Sequence, residues 1–138
     1  REDLMVDSEV YRYSSVKNPI DIMVKVGEGA SLVHKKNPRF RAVIDSLTTL
    51  LLYNENMLIV RILKAYIMRI KAAGGTVIII YTEGSTDSNK ETMIKSMVDN
   101  IIRLDGEYLT IEAMKGMGKR RAPYNITDKG MVVGKGIL

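Results

Sequence analysis

The sequence predicts an α/β protein: a mainly parallel sheet in βαβ order followed by a C-terminal antiparallel hairpin extension. Three observations predict it. Thr76-Val77-Ile78-Ile79-Ile80-Tyr81 is a β-branched run without alternation, the pattern of a parallel strand covered on both faces. An apolar stretch of helical length, residues 56–73, leads into that strand across Gly74-Gly75. Residues 100–112 alternate apolar and polar on both sides of Asp105-Gly106, a hairpin signal. With 138 residues and 46% hydrophobic side chains, the chain has material for one packed core, so a single domain over residues 1–138 is expected.

The elements follow in order. Glu9-Val10-Tyr11-Arg12-Tyr13-Ser14 alternates and reads as a first strand. Asn18-Pro19 breaks it, and Pro19 suits the first turn of a helix over 20–35, which Gly27 and Gly29 weaken. After Asn37-Pro38, residues 39–46 form a second strand that runs from charge into a short apolar burst and ends in Asp45-Ser46. The helix over 56–73 takes Asn54 or Asn56 as its cap. Its polar stripe of Arg61, Lys64, Arg69 and Lys71 is narrow, which predicts burial on more than one side. Polar loops are expected at 51–56 and after Thr82-Glu83-Gly84, then a short helix over 90–97. Beyond the hairpin, a link rich in Gly, Lys and Arg covers 115–121, and short strands follow at 123–127 and 131–133.

Composition narrows the function. No cysteine is present, which excludes disulfides and thiolate metal sites, and a single histidine, His34, argues against a zinc centre or a Ser/His/acid triad. Beside Lys35-Lys36, His34 reads as a surface residue. Arg61, Lys64, Arg69 and Lys71 interrupt the most apolar run, so no membrane span is expected, and cytoplasmic residence follows as the default. With no Trp and one Phe, the core must come from Ile, Val, Leu and Met, and Met57, Met68, Met93 and Met97 read as core filling. The chain opens on Arg1 instead of Met, which points to a segment upstream. All of the net charge of +5 lies from Lys115 onward, where Lys115, Lys119, Arg120, Arg121, Lys129 and Lys135 face one acid, Asp128. That asymmetry fits a phosphate or nucleic-acid contact, and equally a solvated basic loop.

Open parallel sheets bind ligands beyond the carboxyl ends of their strands, which directs attention to Ser14-Ser15, Asp45-Ser46 and Thr82-Glu83. An apolar strand ending in an acid puts a carboxylate where it can hold a magnesium-bound water opposite nucleotide phosphates. Asp45 has that placement, and an Asp that caps the following segment would show the same pattern.

Four segments in order, Arg41-Ala-Val-Ile-Asp-Ser-Leu-Thr-Thr-Leu50, Gly75-Thr-Val-Ile-Ile-Ile-Tyr-Thr-Glu83, Met97-Val-Asp-Asn-Ile-Ile-Arg-Leu104 and Tyr124-Asn-Ile-Thr-Asp-Lys-Gly130, resemble the carboxyl-terminal half of the KaiC-like family of RecA-superfamily ATPases. The resemblance runs over roughly residues 9–133. It implies a RecA-like three-layer sandwich, ATP and Mg2+ as cofactors, and a homo-oligomeric ring with ATP between adjacent subunits. Under it, Asp45 is the metal-organising Walker B acid beside Ser46, and Thr82 and Glu83 form the polar strand end that senses phosphate.

Two departures accompany the resemblance. The chain contains no Gly-x-x-x-x-Gly-Lys-Ser/Thr string; the nearest glycine cluster, Gly27-Glu-Gly29-Ala-Ser31, lacks a lysine and follows no strand. The family's Lys-x-Arg after the hairpin reads here Ala113-Met114-Lys115-Gly116, leaving Lys115 to act in trans with Lys119, Arg120 or Arg121. Two rivals to an ATPase follow: a RecA-like scaffold that binds a protein or peptide, and a recombinase-like DNA-binding protein. Lys90 and the scarcity of aromatic residues in the loops give the DNA reading little stacking surface.

Overall fold

A computed structural model describes residues 4–6, 9–11 and 13–136, the first two segments by their backbone alone. The order of elements is β1 (Leu4–Val6), β2 (Glu9–Tyr11), α1 (Pro19–Lys36), β3 (Arg41–Ile44), α2 (Leu47–Tyr53), α3 (Asn56–Ala72), β4 (Thr76–Ile79), α4 (Ser88–Ser96), β5 (Ile101–Leu104), β6 (Tyr108–Ala113), β7 (Arg120–Thr127) and β8 (Gly130–Val133). The chain is mixed α/β, with a small parallel sheet and a four-stranded antiparallel sheet. It divides into two compact units, with the boundary between Glu91 and Thr92 inside α4.

In the first unit, α1 begins where Asn18 Oδ1 accepts the Asp21 N–H at 3.1 Å, with Pro19 in the first turn. Ser14 Oγ donates to the Asp21 carboxylate, and Lys25 pairs with the same group at 2.9 Å. These partners, the Ser14 hydroxyl first, hold the Asp21 carboxyl below its usual value. The expected first strand behaves differently from its forecast. β2 pairs antiparallel with β1, as a separate ribbon, and does not join the parallel sheet. Ser14-Ser15 therefore end no parallel strand and instead lead into α1; residue 12 lies outside the described residues.

The parallel sheet consists of β3 and β4, in register from Arg41↔Thr76 to Ile44↔Ile79. Phe40, Tyr66 and Ile70 form a buried cluster, against which Met23, Val26 and Ala30 of α1, Ala42 and Ile44 of β3 and Val77 of β4 pack. Alternation along each strand sends Val43 and Ile78 to the other face, where they are 56% and 45% exposed. So β4 is covered on one face by the described residues, not on both. The close approach of α3 to the start of β4 requires glycine: a Cβ on Gly75 would lie 2.8 Å from Ile70 and 2.9 Å from the Phe40 ring.

Helix α3 buries Ile59, Val60, Leu63, Tyr66, Ile67 and Ile70, a single stripe at helical spacing. Met68 on its far side is 63% exposed, so Met68 does not fill the core, and the described residues bury α3 on one side only; of the two expected ways to cover its other side, a further layer or a subunit contact, no further layer is formed by the described residues. The α3 cap is Glu55, neither Asn54 nor Asn56: its carboxylate accepts the N–H groups of Met57 and Leu58 at 2.8 and 2.6 Å. The Met57 and Leu58 amides hold the Glu55 carboxyl below its usual value. Asn54 Nδ2 donates instead to the Val16 and Leu50 carbonyls.

The second unit holds an antiparallel meander, β5-β6-β7-β8. The hairpin turn forms where expected. Asp105 Oδ1 accepts the Glu107 and Tyr108 N–H groups at 2.8 and 2.7 Å, which lowers the Asp105 carboxyl pKa, and Gly106 takes φ 100°. Tyr124 closes the turn by accepting the Gly106 N–H at its hydroxyl, 2.8 Å. Among the described residues no helix is long and apolar enough to cross a membrane.

Candidate functional site

The parallel register of β3 and β4 brings their carboxyl ends to one edge. Beyond the last pair, the Ile80 N–H donates to the Ile44 carbonyl at 3.0 Å and the Leu47 N–H to the Ile80 carbonyl at 2.9 Å. The Thr82 N–H then donates to Thr48 Oγ1 at 2.8 Å, tying the chain after β4 to the first turn of α2. Asp45-Ser46 and Thr82-Glu83 thus emerge at the same edge, and Asp45, Thr82 and Glu83 are exposed there. The Asp45–Ser46 peptide is cis.

Helix α2 was not foreseen, and it decides what each residue of this edge does. Its N-cap is Ser46, whose hydroxyl accepts the Thr49 N–H at 3.3 Å and lies 3.0 Å from Thr49 Oγ1. Asp45 is therefore not the cap, and its carboxylate is not consumed by satisfying the helix terminus. Leu47, fully buried, anchors the turn from beneath. Asp45, Ser46 and Thr49 border a cavity of about 260 Å³ whose wall is otherwise apolar apart from Tyr66, and includes Leu47, Ile59 and Leu63.

The loop after β4 is held by a residue that composition did not single out. Glu91 on α4 accepts from the Tyr81 hydroxyl at 2.8 Å and from the Gly84 N–H at 3.0 Å. Burial, with the Glu91 carboxylate adding to it, pushes the Tyr81 phenol above its usual pKa. The Ser85 N–H returns to the Thr82 carbonyl, and Asp87 Oδ1 accepts the Lys90 N–H at 3.0 Å as α4 begins. Thr48, Tyr81 and Glu91 were missed because their partners are 34, 10 and 7–10 residues away in sequence.

The basic candidates sit in the second unit. Met114 and Met117 bridge across a tight turn in which Gly116 has φ 80°, so Lys115 occupies the tip. Arg120 and Arg121 open β7 opposite Ile111 and Thr110. The Arg121 guanidinium lies 4.2 Å from the centroid of the Tyr108 ring, a cation–π contact that fixes it against the sheet. Lys115, Lys119 and Arg120 are exposed.

The chemistry of the edge suits a hard cation. Mg2+ commonly takes one or two carboxylates and completes its shell with water and substrate phosphates. The exposed carboxylate of Asp45, next in sequence to Ser46, is of the kind that demand calls for. Among the described residues no group of three or more His, Cys, Asp or Glu gathers as a cage would need. Comparison with protein-family models matches residues 11–136 to the family described as "ATPase: KaiC". A search of curated proteins finds no match.

Proposed function

The chain belongs to the KaiC ATPase family, and from that premise we propose that it is an ATP-binding portion of a RecA-like three-layer fold that hydrolyses ATP between the subunits of a homo-oligomeric ring. The observation that carries the proposal is the shared edge of β3 and β4, where Asp45 and Thr82-Glu83 emerge together. In this reading Asp45 holds a magnesium-bound water, and its carboxylate can do so because Ser46 has taken over the helix cap. Ser46 and Thr49 shape the floor beside it. Thr82 and Glu83 face the phosphate end of the nucleotide, their backbone held by Thr48 and by the Glu91 bonds to the loop.

Mg2+ and ATP, when bound, would supply a neutralised γ-phosphate open to in-line attack by water. The cations of the β6–β7 connection complete a neighbouring subunit's site in this proposal. Lys115, Lys119 and Arg120 have side chains available for that task, whereas Arg121 is engaged by Tyr108. Titration of the full-length protein with ATP, with and without magnesium, tests the assignment on wild type and Asp45→Ala. The substitution is expected to lower magnesium-dependent turnover by on the order of a hundredfold, with the circular dichroism spectrum unchanged. Turnover equal to wild type rejects the role given to Asp45.

A further inference from the structure

A second concavity of the first unit is lined by neither Asp45 nor its neighbours Ser46 and Thr49. It is a half-open cavity of about 510 Å³ between α1 and α3, within the range of small-molecule sites. Met23, Val26, Ala30 and Ile70 make its wall apolar. Its charged lining residues are Lys35 and Arg69, with His34 beside them, and among the described residues no carboxylate lines it. Among the described residues neither the Lys35 ammonium nor the Arg69 guanidinium has an ion-pair partner.

Two further features belong to this cavity. Tyr66 lines it and is only 7% exposed, yet its hydroxyl has no hydrogen-bond partner among the described residues. A buried phenol left in that state costs stability, and native proteins almost always supply an acceptor. Gly27 also lines it, inside α1, where glycine weakens a helix. A Cβ there would meet nothing within 4 Å, so no packing contact in the fold demands the glycine. Gly27 thus borders the cavity with open space beside its Cα.

We propose that this cavity binds a small apolar carboxylate, its hydrocarbon body against Met23, Val26, Ala30 and Ile70 and its anion held by Arg69 and Lys35, with Tyr66 donating to it. Charge complementarity selects an anion, and the apolar wall selects its body. The site includes neither Asp45 nor Thr82-Glu83, although Met23, Val26 and Tyr66 also line the cavity that Asp45 borders.

Sodium decanoate, below its micellar concentration, is the probe, titrated calorimetrically into the full-length protein. Saturable one-to-one binding is expected. Arg69→Gln and Tyr66→Phe are each expected to weaken it about three- to tenfold, and Gly27→Leu to abolish it by filling the space. Decyltrimethylammonium, the same chain with the opposite charge, is expected not to bind. Thermal melts check that the variants fold; Gly27→Leu removes a helix-weakening residue, and Arg69 is exposed. Absence of saturable decanoate binding overturns the proposal. Equal affinity in Arg69→Gln and Gly27→Leu, or equal binding of the cationic amphiphile, overturns it too.

Discussion

At the residue scale, Asp45 and Leu47 divide the labour of one short turn. Leu47 has no exposed surface, and its N–H closes the bond to Ile80 that joins the two strand ends. Leu47→Ala should therefore destabilise the protein by about 2–5 kcal/mol, the range for a buried leucine that leaves a cavity. Urea unfolding followed by circular dichroism measures it, and a loss below about 1 kcal/mol would show that Leu47 does not anchor the turn. Asp45 was legible because a hydrophobic burst that stops in an acid is visible in sequence. Its freedom from capping was not, since Asp and Ser are both good caps and only the backbone assigns the task to Ser46. Tyr66 was invisible as a polar group for a similar reason: in sequence it is one more member of an apolar stripe.

At the element scale, α3 is capped by an ionised side chain, so its stability should follow pH. The folded Glu55 carboxyl is depressed by the Met57 and Leu58 amides. Its contribution is present in full above the unfolded carboxyl value, about 4.3, and is lost as pH falls through the folded value. Glu55→Gln should be less stable than wild type at pH 7, and the difference should shrink as the pH drops into that acid range. Parallel urea titrations across the range check this; a gap that stays constant into strong acid would contradict the cap. Most elements were legible from periodicity and punctuation: α1 behind Asn18-Pro19, α3 before Gly74-Gly75, and the Asp105-Gly106 hairpin. Helix α2 was not, because Leu47-Thr-Thr-Leu-Leu-Leu-Tyr53 is too short for a helical period to show and carries two β-branched threonines.

For the whole molecule, the ring proposal separates Asp45 from the cations that act beside a neighbour's nucleotide, and separation of that kind is testable by mixing. Asp45→Ala subunits retain the cations, and Lys115→Ala/Arg120→Ala subunits retain the acid. Each variant alone should be nearly inactive in ATP turnover. A co-assembled mixture should recover part of the activity, since some interfaces then combine an intact Asp45 with intact cations. Mixtures no more active than their components, under conditions where native mass spectrometry shows mixed assemblies, would exclude action in trans.

By itself the sequence determined the α/β class, the order of most elements, the family resemblance that the comparison with family models bears out, and the acid at the end of β3. These are local properties, written in periodicity, turn residues and a short motif. Tertiary structure alone decided that β2 pairs with β1 outside the parallel sheet, that the described residues cover β4 on one face, that Ser46 and not Asp45 caps α2, and that Glu91 holds the loop behind Glu83. The β1–β2 ribbon joins partners only three to seven residues apart; the other outcomes depend on partners farther along the chain or on competition between equally suitable neighbours. Local propensity carries no information about which distant group arrives, and only packing and the pairing of buried polar groups settle it.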